Sequence, residues 1–314
     1  MKIRIGHLST FYHTAILLMA GYPGEEEPGF EAEWRLFGTG PAIVNAFEKG
    51  ELDIAYVGLP PAVIGIARGV RIKCIAGGHV EGTVISGKSV HKGFPATSDL
   101  AEILEQYKGL RIGVPGKGSI HDVILSDCLH RFDLNGEVGV VNFRWADMAL
   151  EAMVKGEVSA VFGTPALAVA VQRYADGKIL YPPSRLWPDN PSYGILADTG
   201  FLERHRGVLL EFLSAHEKAT AFIRSDPGRA AGIIARFVGI VDRDFVLDTL
   251  RVSPRYCAQL TQGYTVCTMA FVAAQKALGY IGRDVSRDEI FDVSLIRVIH
   301  GEGDHYDDGI CSGK

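Results

Sequence analysis

The stretch Ala46-Phe47-Glu48-Lys49-Gly50-Glu51-Leu52, followed by Tyr56-Val57-Gly58-Leu59-Pro60, decides the fold because the chain writes it twice. The second copy is Ala152-Met153-Val154-Lys155-Gly156-Glu157-Val158, followed by Phe162-Gly163-Thr164-Pro165, at an offset of 106 drifting to 105. Upstream of each copy lies a matching strand-like segment, Ile3-Arg4-Ile5-Gly6 and Leu110-Arg111-Ile112-Gly113, offset by 107. Ordered matches at nearly one offset imply two similar half-structures.

Each half reads strand, loop, helix, strand, helix, strand. In the first, Ile3 to Ile5, Ala32 to Leu36 and Leu52 to Val57 are strands, and Thr14 to Ala20 is a short apolar helix. Gly38-Thr39-Gly40-Pro41 opens a second helix, with proline in its first turn and apolar Ile43, Val44, Ala46 and Phe47 along it. That helix stops at Gly50, and the strand after it ends in the turn-like Gly58-Leu59-Pro60-Pro61. Strands alternating with helices argue for an α/β protein with parallel sheets, whose ligands bind beyond the carboxyl ends of the strands. Tyr193 to Ala197 reads as one more strand, and helices follow over 208–224, 229–237, 244–251, 258–278 and 287–293. Two α/β lobes and a helical tail suit a clamp with its cleft between the lobes.

Composition narrows the function classes. The 314 residues are 47% hydrophobic and 22% charged, as in a folded globular chain. The 32 Lys and Arg against 37 Asp and Glu are scattered, so no basic face is offered to nucleic acid. Cys74, Cys128, Cys257, Cys267 and Cys311 form no CxxC pair and are odd in number, which points to buried thiols rather than a disulfide framework. The apolar run Ala15 to Ala20 is too short to span a bilayer, and Lys2 leads straight into a strand rather than a secretory leader. The chain as written is therefore expected in the cytoplasm, and outside it only if a leader has been removed.

Beyond these readings the chain resembles the solute-binding proteins of ABC importers, in the nitrate/sulfonate/taurine and NMT1/THI5-like group. The resemblance rests on Phe37-Gly38-Thr39-Gly40, on Lys49-Gly50-Glu51-Leu52-Asp53-Ile54-Ala55 into Gly58-Leu59-Pro60, on Arg111-Ile112-Gly113-Val114-Pro115 into Gly118-Ser119, and on Leu278-Gly279-Tyr280-Ile281. It implies the type II periplasmic-binding-protein fold, with two lobes joined by two crossover strands near Val84 to Ser86 and Tyr193 to Ala197. Residues 1–85 with 195–314 then form one lobe and 86–194 the other. A small-molecule ligand, an ABC permease as partner, a monomer and no cofactor are further implications.

The same resemblance places binding residues on the loop Ser9-Thr10-Phe11-Tyr12-His13, with Thr10, Phe11 and His13 as candidates, and on Gly38, Thr39 and Gly40, whose helix start would favour an anion. Thr39 can equally be an ordinary N-cap. Gly58 and Leu59 follow a strand and bring backbone close to a ligand. In the second lobe Pro115-Gly116-Lys117-Gly118-Ser119-Ile120-His121-Asp122 reads as a glycine-rich cradle entering a helix, with Ser119 its N-cap and Asp122 at N3; Ser119 and His121 are the candidates. Trp145 sits where the repeat places Thr39, and Thr164 where it places Leu59. His79 and Glu81, in Gly77-Gly78-His79-Val80-Glu81-Gly82-Thr83, precede the first crossover and should lie at the cleft floor. His13, His79, Glu81 and His121 have the ligand types of an iron or zinc site, with ligand hydrogen bonding the alternative. The segment from His300 to Cys311 has metal-ligand residue types without a recognised spacing and reads as a disordered polar tail.

The Pro115–Asp122 cradle has neither the GxxxxGK[ST] spacing of a Walker A loop nor GxGxxG, no GxSxG elbow occurs, and His216-Glu217 lacks the second histidine of HExxH. The cysteine-rich CCCFC segment that marks thiamine-pyrimidine synthases is also missing. The expectation is a solute-binding component that clamps a small anionic or heterocyclic organic molecule without chemistry. The alternative is a cytoplasmic enzyme or ligand sensor on the same fold, similar to the thiamine-pyrimidine synthases or menaquinone-pathway enzymes, with His13, His79 or Glu81 as acid or base.

Overall fold

The repeated Lys-Gly-Glu is a helix stop. In the computed structural model, which describes residues 1–23, 29–301 and 303–306, Gly50 and Gly156 sit in left-handed backbone at φ 68° and 74°, where an L side chain costs about 1–2 kcal/mol. The amides of Gly50 and Glu51 return to the carbonyls of Phe47 and Ala46, both at 2.9 Å, and those of Gly156 and Glu157 to Met153 and Ala152 at 3.1 and 2.8 Å. The last helical carbonyls are thereby satisfied and the chain is turned toward the next strand.

In the first half the order is β1 (Lys2–Leu8), α1 (Thr14–Ala20), β2 (Glu31–Phe37), α2 (Gly40–Glu48), β3 (Ile54–Val57), α3 (Leu59–Ala67) and β4 (Ile72–Val80). β5 (Val84–Lys88) and α4 (Leu100–Glu105) lead into the second half. That half runs β6 (Arg111–Pro115), α5 (Ile120–Arg131), β7 (Gly139–Phe143), α6 (Ala146–Val154), β8 (Ala160–Gly163), α7 (Pro165–Tyr174) and β9 (Gly177–Tyr181). After α8 (Pro183–Leu186) and β10 (Pro191–Asp198) come the helices α9 (Thr199–Arg204), α10 (Arg206–Ser225), α11 (Pro227–Val238), α12 (Arg243–Val252), α13 (Gln262–Ala277), α14 (Arg287–Ile290) and α15 (Ile296–Ile299). The Gly58-Leu59-Pro60-Pro61 run is not a turn: it begins α3, whose prolines occupy the first turn, where no intrahelical N–H is required.

The strands form two five-stranded sheets, β2-β1-β3-β10-β4 and β7-β6-β8-β5-β9. β1 runs parallel to β2 and β3, and β6 parallel to β7 and β8. β10 enters the first sheet antiparallel between β3 and β4, and β5 enters the second antiparallel between β8 and β9. Each sheet thus takes its fourth strand from the segment that crosses between the halves. The repeated Gly6 and Gly113 relieve crowding, since a Cβ would lie 2.7 Å from Leu52 Cδ1 and 3.3 Å from Val158 Cγ2, residues that are themselves a repeated pair.

Val84 and Ile85 pair within the second sheet, Leu186 joins the second core and Pro191–Gly194 lie in the first-sheet strand, so the chain passes between the sheets at 81–83 and 187–190 rather than at the 85/86 and 194/195 divisions drawn from sequence. Each sheet has its own buried core, and α13 belongs to both: Tyr264 and Val272 join the first, Cys267 and Phe271 the second. Cys74, Cys128, Cys257 and Cys267 are buried free thiols; Cys311 lies outside the described residues. Within the supposed polar tail His300 and Tyr306 are buried, and the Tyr306 hydroxyl donates to Cys257 O at 2.9 Å. Its remaining acidic residues Glu302, Asp307 and Asp308 lie outside the described residues. Among the described residues no helix is long and apolar enough to cross a membrane.

Candidate functional site

The carboxyl ends of the parallel strands of both sheets deliver their loops to one cavity of about 60 Å³. Leu8, Ser9, Thr10, Tyr12 and His13 reach it from the β1–α1 loop, Gly38, Thr39 and Gly40 from the start of α2, and Gly58 and Pro61 from the start of α3. The second lobe supplies Pro115, Ser119, Ile120 and His121 around the start of α5, Ala146 at the first residue of α6, and Thr164 as N-cap of α7; Ser192 comes from β10. Five helices of nine or more residues, α2, α3, α5, α6 and α7, therefore begin on the cavity wall. Amides in a first helical turn have no partner within their own helix, and each helix start carries roughly half a positive charge. Among the described residues no Asp, Glu, Lys or Arg lines the cavity.

Local sequence explains how these ends are held. Ser119 Oγ accepts from Asp122 N at 3.3 Å, and Asp122 Oδ2 accepts from Gly118 N at 2.7 Å, as the N-cap and N3 reading required. Asp122 also receives Asn142 Nδ2 at 2.9 Å and Tyr280 Oη at 2.7 Å, so its charge is used in building the cradle. Thr164 Oγ1 accepts from Leu167 N at 3.2 Å. Thr39 occupies the N-cap position of α2 but its hydroxyl makes no capping bond, which leaves it for the cavity. Tyr12 Oη and Ser192 Oγ are 3.1 Å apart, and burial pushes the tyrosine up to about 12.

The two cavity histidines are neutral. Burial drives His121 down to about 3, and its Nδ1 lies 2.9 Å from Thr83 Oγ1. His13 falls well below the usual histidine range through burial, with the neighbouring histidines adding to it. Two buried atoms of the wall, Thr10 Oγ1 and His13 Nδ1, have no hydrogen-bond partner among the described residues.

Of the residues singled out in the sequence, Thr10, His13, Gly38, Thr39, Gly40, Gly58, Ser119, His121 and Thr164 line this cavity. Phe11, Leu59, His79, Glu81 and Trp145 do not line the cavity. Phe11 turns away from its neighbours and meets Phe245 edge-on at 6.0 Å between ring centres. Leu59 is a fully buried core residue at the start of α3. His79 is fully buried behind Tyr12, its Nε2–H donating to Ser253 O at 2.6 Å and its ring 4.5 Å from Tyr256; burial holds it neutral, down to about 3. Glu81, at φ 63°, pairs with Arg255 at 2.5 Å, and the same guanidinium nitrogen reaches Asp189 at 3.0 Å. It ties the two inter-lobe crossings together. Trp145 is the N-cap of α6 and packs on Gly38 at the junction of the lobes, where an added Cβ would lie 3.1 Å from its ring.

The suggested metal quartet fails for the same reasons: His79 and Glu81 are committed elsewhere, and among the described residues no three of His, Cys, Asp and Glu are placed to hold a metal. Ser192, Ile120 and Ala146 were not foreseen as wall residues. The repeat had offered a hint for Ala146, since it follows Trp145 as Gly40 follows Thr39.

Comparison with known proteins gives a consistent result. Residues 1–238 match the pattern of the NMT1-like family. A Brucella abortus chain carrying a binding-protein name is 24% identical over 246 residues, 76% of this chain and 72% of that one. Among solved structures, the ligand-binding component of an ABC-type import system from Staphylococcus aureus, with zinc bound, superposes with a TM-score of 0.79 at 18% identity, covering 96% of this chain and 99% of its own. The alkanesulfonate-binding protein of Xanthomonas axonopodis pv. citri, bound to MOPS, gives 0.76 at 16% identity, covering 92% and 98%.

Proposed function

The chain belongs to the NMT1-like family and has the type II periplasmic-binding-protein fold, and from that premise we propose that it is the ligand-binding component of an ABC importer, closing on a small organic anion. The observation that carries the reading is the convergence of five helix amino ends, from both lobes, on one cavity without a charged side chain. Each helix start stabilises an anion by about 0.3–1 kcal/mol, and amides from two lobes can satisfy one oxoanion only when the lobes are shut. At about 60 Å³ the cavity admits roughly four to six water-sized groups, the scale of a carboxylate or sulfonate head with a short stem. Thr10 Oγ1, His13 Nδ1 and the uncapped Thr39 hydroxyl are the side-chain groups a ligand would satisfy.

The enzyme reading relied on His13, His79 or Glu81, and two of these three lie outside the cavity. Native mass spectrometry of protein purified from its own host tests the proposal. A small anion released unchanged on denaturation is the expected result; a ligand converted on incubation, or binding confined to cations, would refute it.

A further inference from the structure

Outside the cavity lining, the lobes also meet at α7 and α12. α7, in the second lobe, carries Arg173 in its last turn, and α12 belongs to the helices packed on the first sheet. Arg173 Nη1 donates to Asp242 Oδ1 and Oδ2 at 3.2 and 3.0 Å, and Nη2 donates to Asp248 Oδ2 at 3.0 Å. Its guanidinium lies 5.2 Å from the ring centre of Phe245. Phe245 is buried with Val169 and Ala170 of α7, and it meets Phe11 edge-on. Phe11 stands between Thr10 and Tyr12, both of which line the cavity.

We infer that Arg173, Asp242, Asp248 and Phe245 form a clasp between the lobes, outside the ligand cavity, which holds the clamp shut and, through Phe11, sets the position of the Thr10–His13 wall. The inference rests on the clamp reading given above. Arg173 and Phe11 are positioning residues in it. Exposed ion pairs contribute little to folding, but an open and a closed form separated by a few RT respond to a bias of that size. The clasp exists only where α7 and α12 touch, so it acts on closure and not on either lobe alone. It also gives Phe11, conspicuous in the sequence and absent from the cavity, its task.

The test needs no ligand, so it is independent of the ligand assignment. Spin labels on Lys49→Cys and Val154→Cys, at the exposed ends of α2 and α6, report the lobe separation by pulsed dipolar spectroscopy, with Cys311→Ser removing the thiol that is not among the four buried ones. The expected result is a short-distance population in the unsubstituted protein that falls about two- to fivefold relative to the long one in Arg173→Glu, in Phe11→Ala and in 1 M salt. Asp248→Arg added to Arg173→Glu should restore it, an outcome that loss of packing would not give. Unchanged distances in Arg173→Glu, no rescue by the reversed pair, or an unsubstituted protein that is already open would overturn the clasp. If Arg173→Glu does not fold, the salt series on the unsubstituted protein decides in the same way.

Discussion

Gly38→Ala isolates closure from folding. Gly38 belongs to the first lobe, and a Cβ there would stand 2.9 Å from Arg144 O and 3.1 and 3.2 Å from the Trp145 ring, all in the second lobe. The carbonyl is backbone and cannot rotate aside as a side-chain tip would. Gly38 is not among the residues in left-handed backbone, so alanine fits its own lobe without strain. The overpacking cost, about 1–3 kcal/mol, therefore falls on the closed form alone. It converts to a ligand affinity about 5- to 150-fold weaker. The assay is calorimetric titration with the compound recovered from the unsubstituted protein, together with thermal melting without ligand. Gly207→Ala, where nothing lies within 4 Å of the added carbon, serves as control. Affinity within twofold of the control would refute the placement of the closing junction.

Thr39→Val should weaken binding and leave ligand-free melting unchanged, because that hydroxyl makes no capping bond; Ser119→Ala should lower both, the lost cap alone costing about 1 kcal/mol of stability, and paired melting and titration separate the two. Stability should fall in acid: His79 and His121 are held near 3 and His216 near 4 by burial. Each takes up a proton on unfolding between those values and the ordinary 6.5, so the stability present above about pH 6.5 is lost as pH drops, at up to roughly 1.4 kcal/mol per pH unit for each. Urea midpoints at pH 7, 6 and 5 should show that slope, reduced by about one proton in His216→Gln. Glu81→Ala should destabilise more than Glu81→Gly by about 1 kcal/mol, because both lose Arg255 while only alanine keeps a side chain at φ 63°; equal urea midpoints would contradict the backbone term.

The halves were legible because their repeated residues each meet a demand of the fold that recurs: Gly50 and Gly156 stop a helix in left-handed backbone, and Gly6 and Gly113 leave room for Leu52 and Val158. Helix starts were legible for a related reason, since Ser119 with Asp122 three residues on is a capping pattern whose bonds form locally. The same rule hid α3, whose two first-turn prolines look like a turn when the helix after them is short. Side-chain direction within a loop is a different kind of question. Phe11 and Tyr12 are adjacent and point to different places, the first to Phe245 on α12, more than two hundred residues away in sequence. His79 and Glu81 occur beside the crossover as expected, yet Ser253 and Arg255 claim them, and no spacing near residue 80 announces partners at 253 and 255.

The recognition itself leaves the faintest trace in the sequence. If an anion is held by first-turn amides, every residue but proline carries the donor, and selection acts on glycine, on hydroxyl caps and on bulk at the wall rather than on an arginine a reader would notice. A cavity of that design should tolerate His121→Asn, which keeps a neutral polar group beside Thr83, far better than Gly40→Ala, whose added carbon would meet Pro61 Cγ of the cavity wall at 2.8 Å and Val57 Cγ2 at 3.0 Å. If titration with the recovered ligand gave the reverse order, with the histidine indispensable and the glycine replaceable, recognition would lie in the imidazole and not in the backbone of the helix starts.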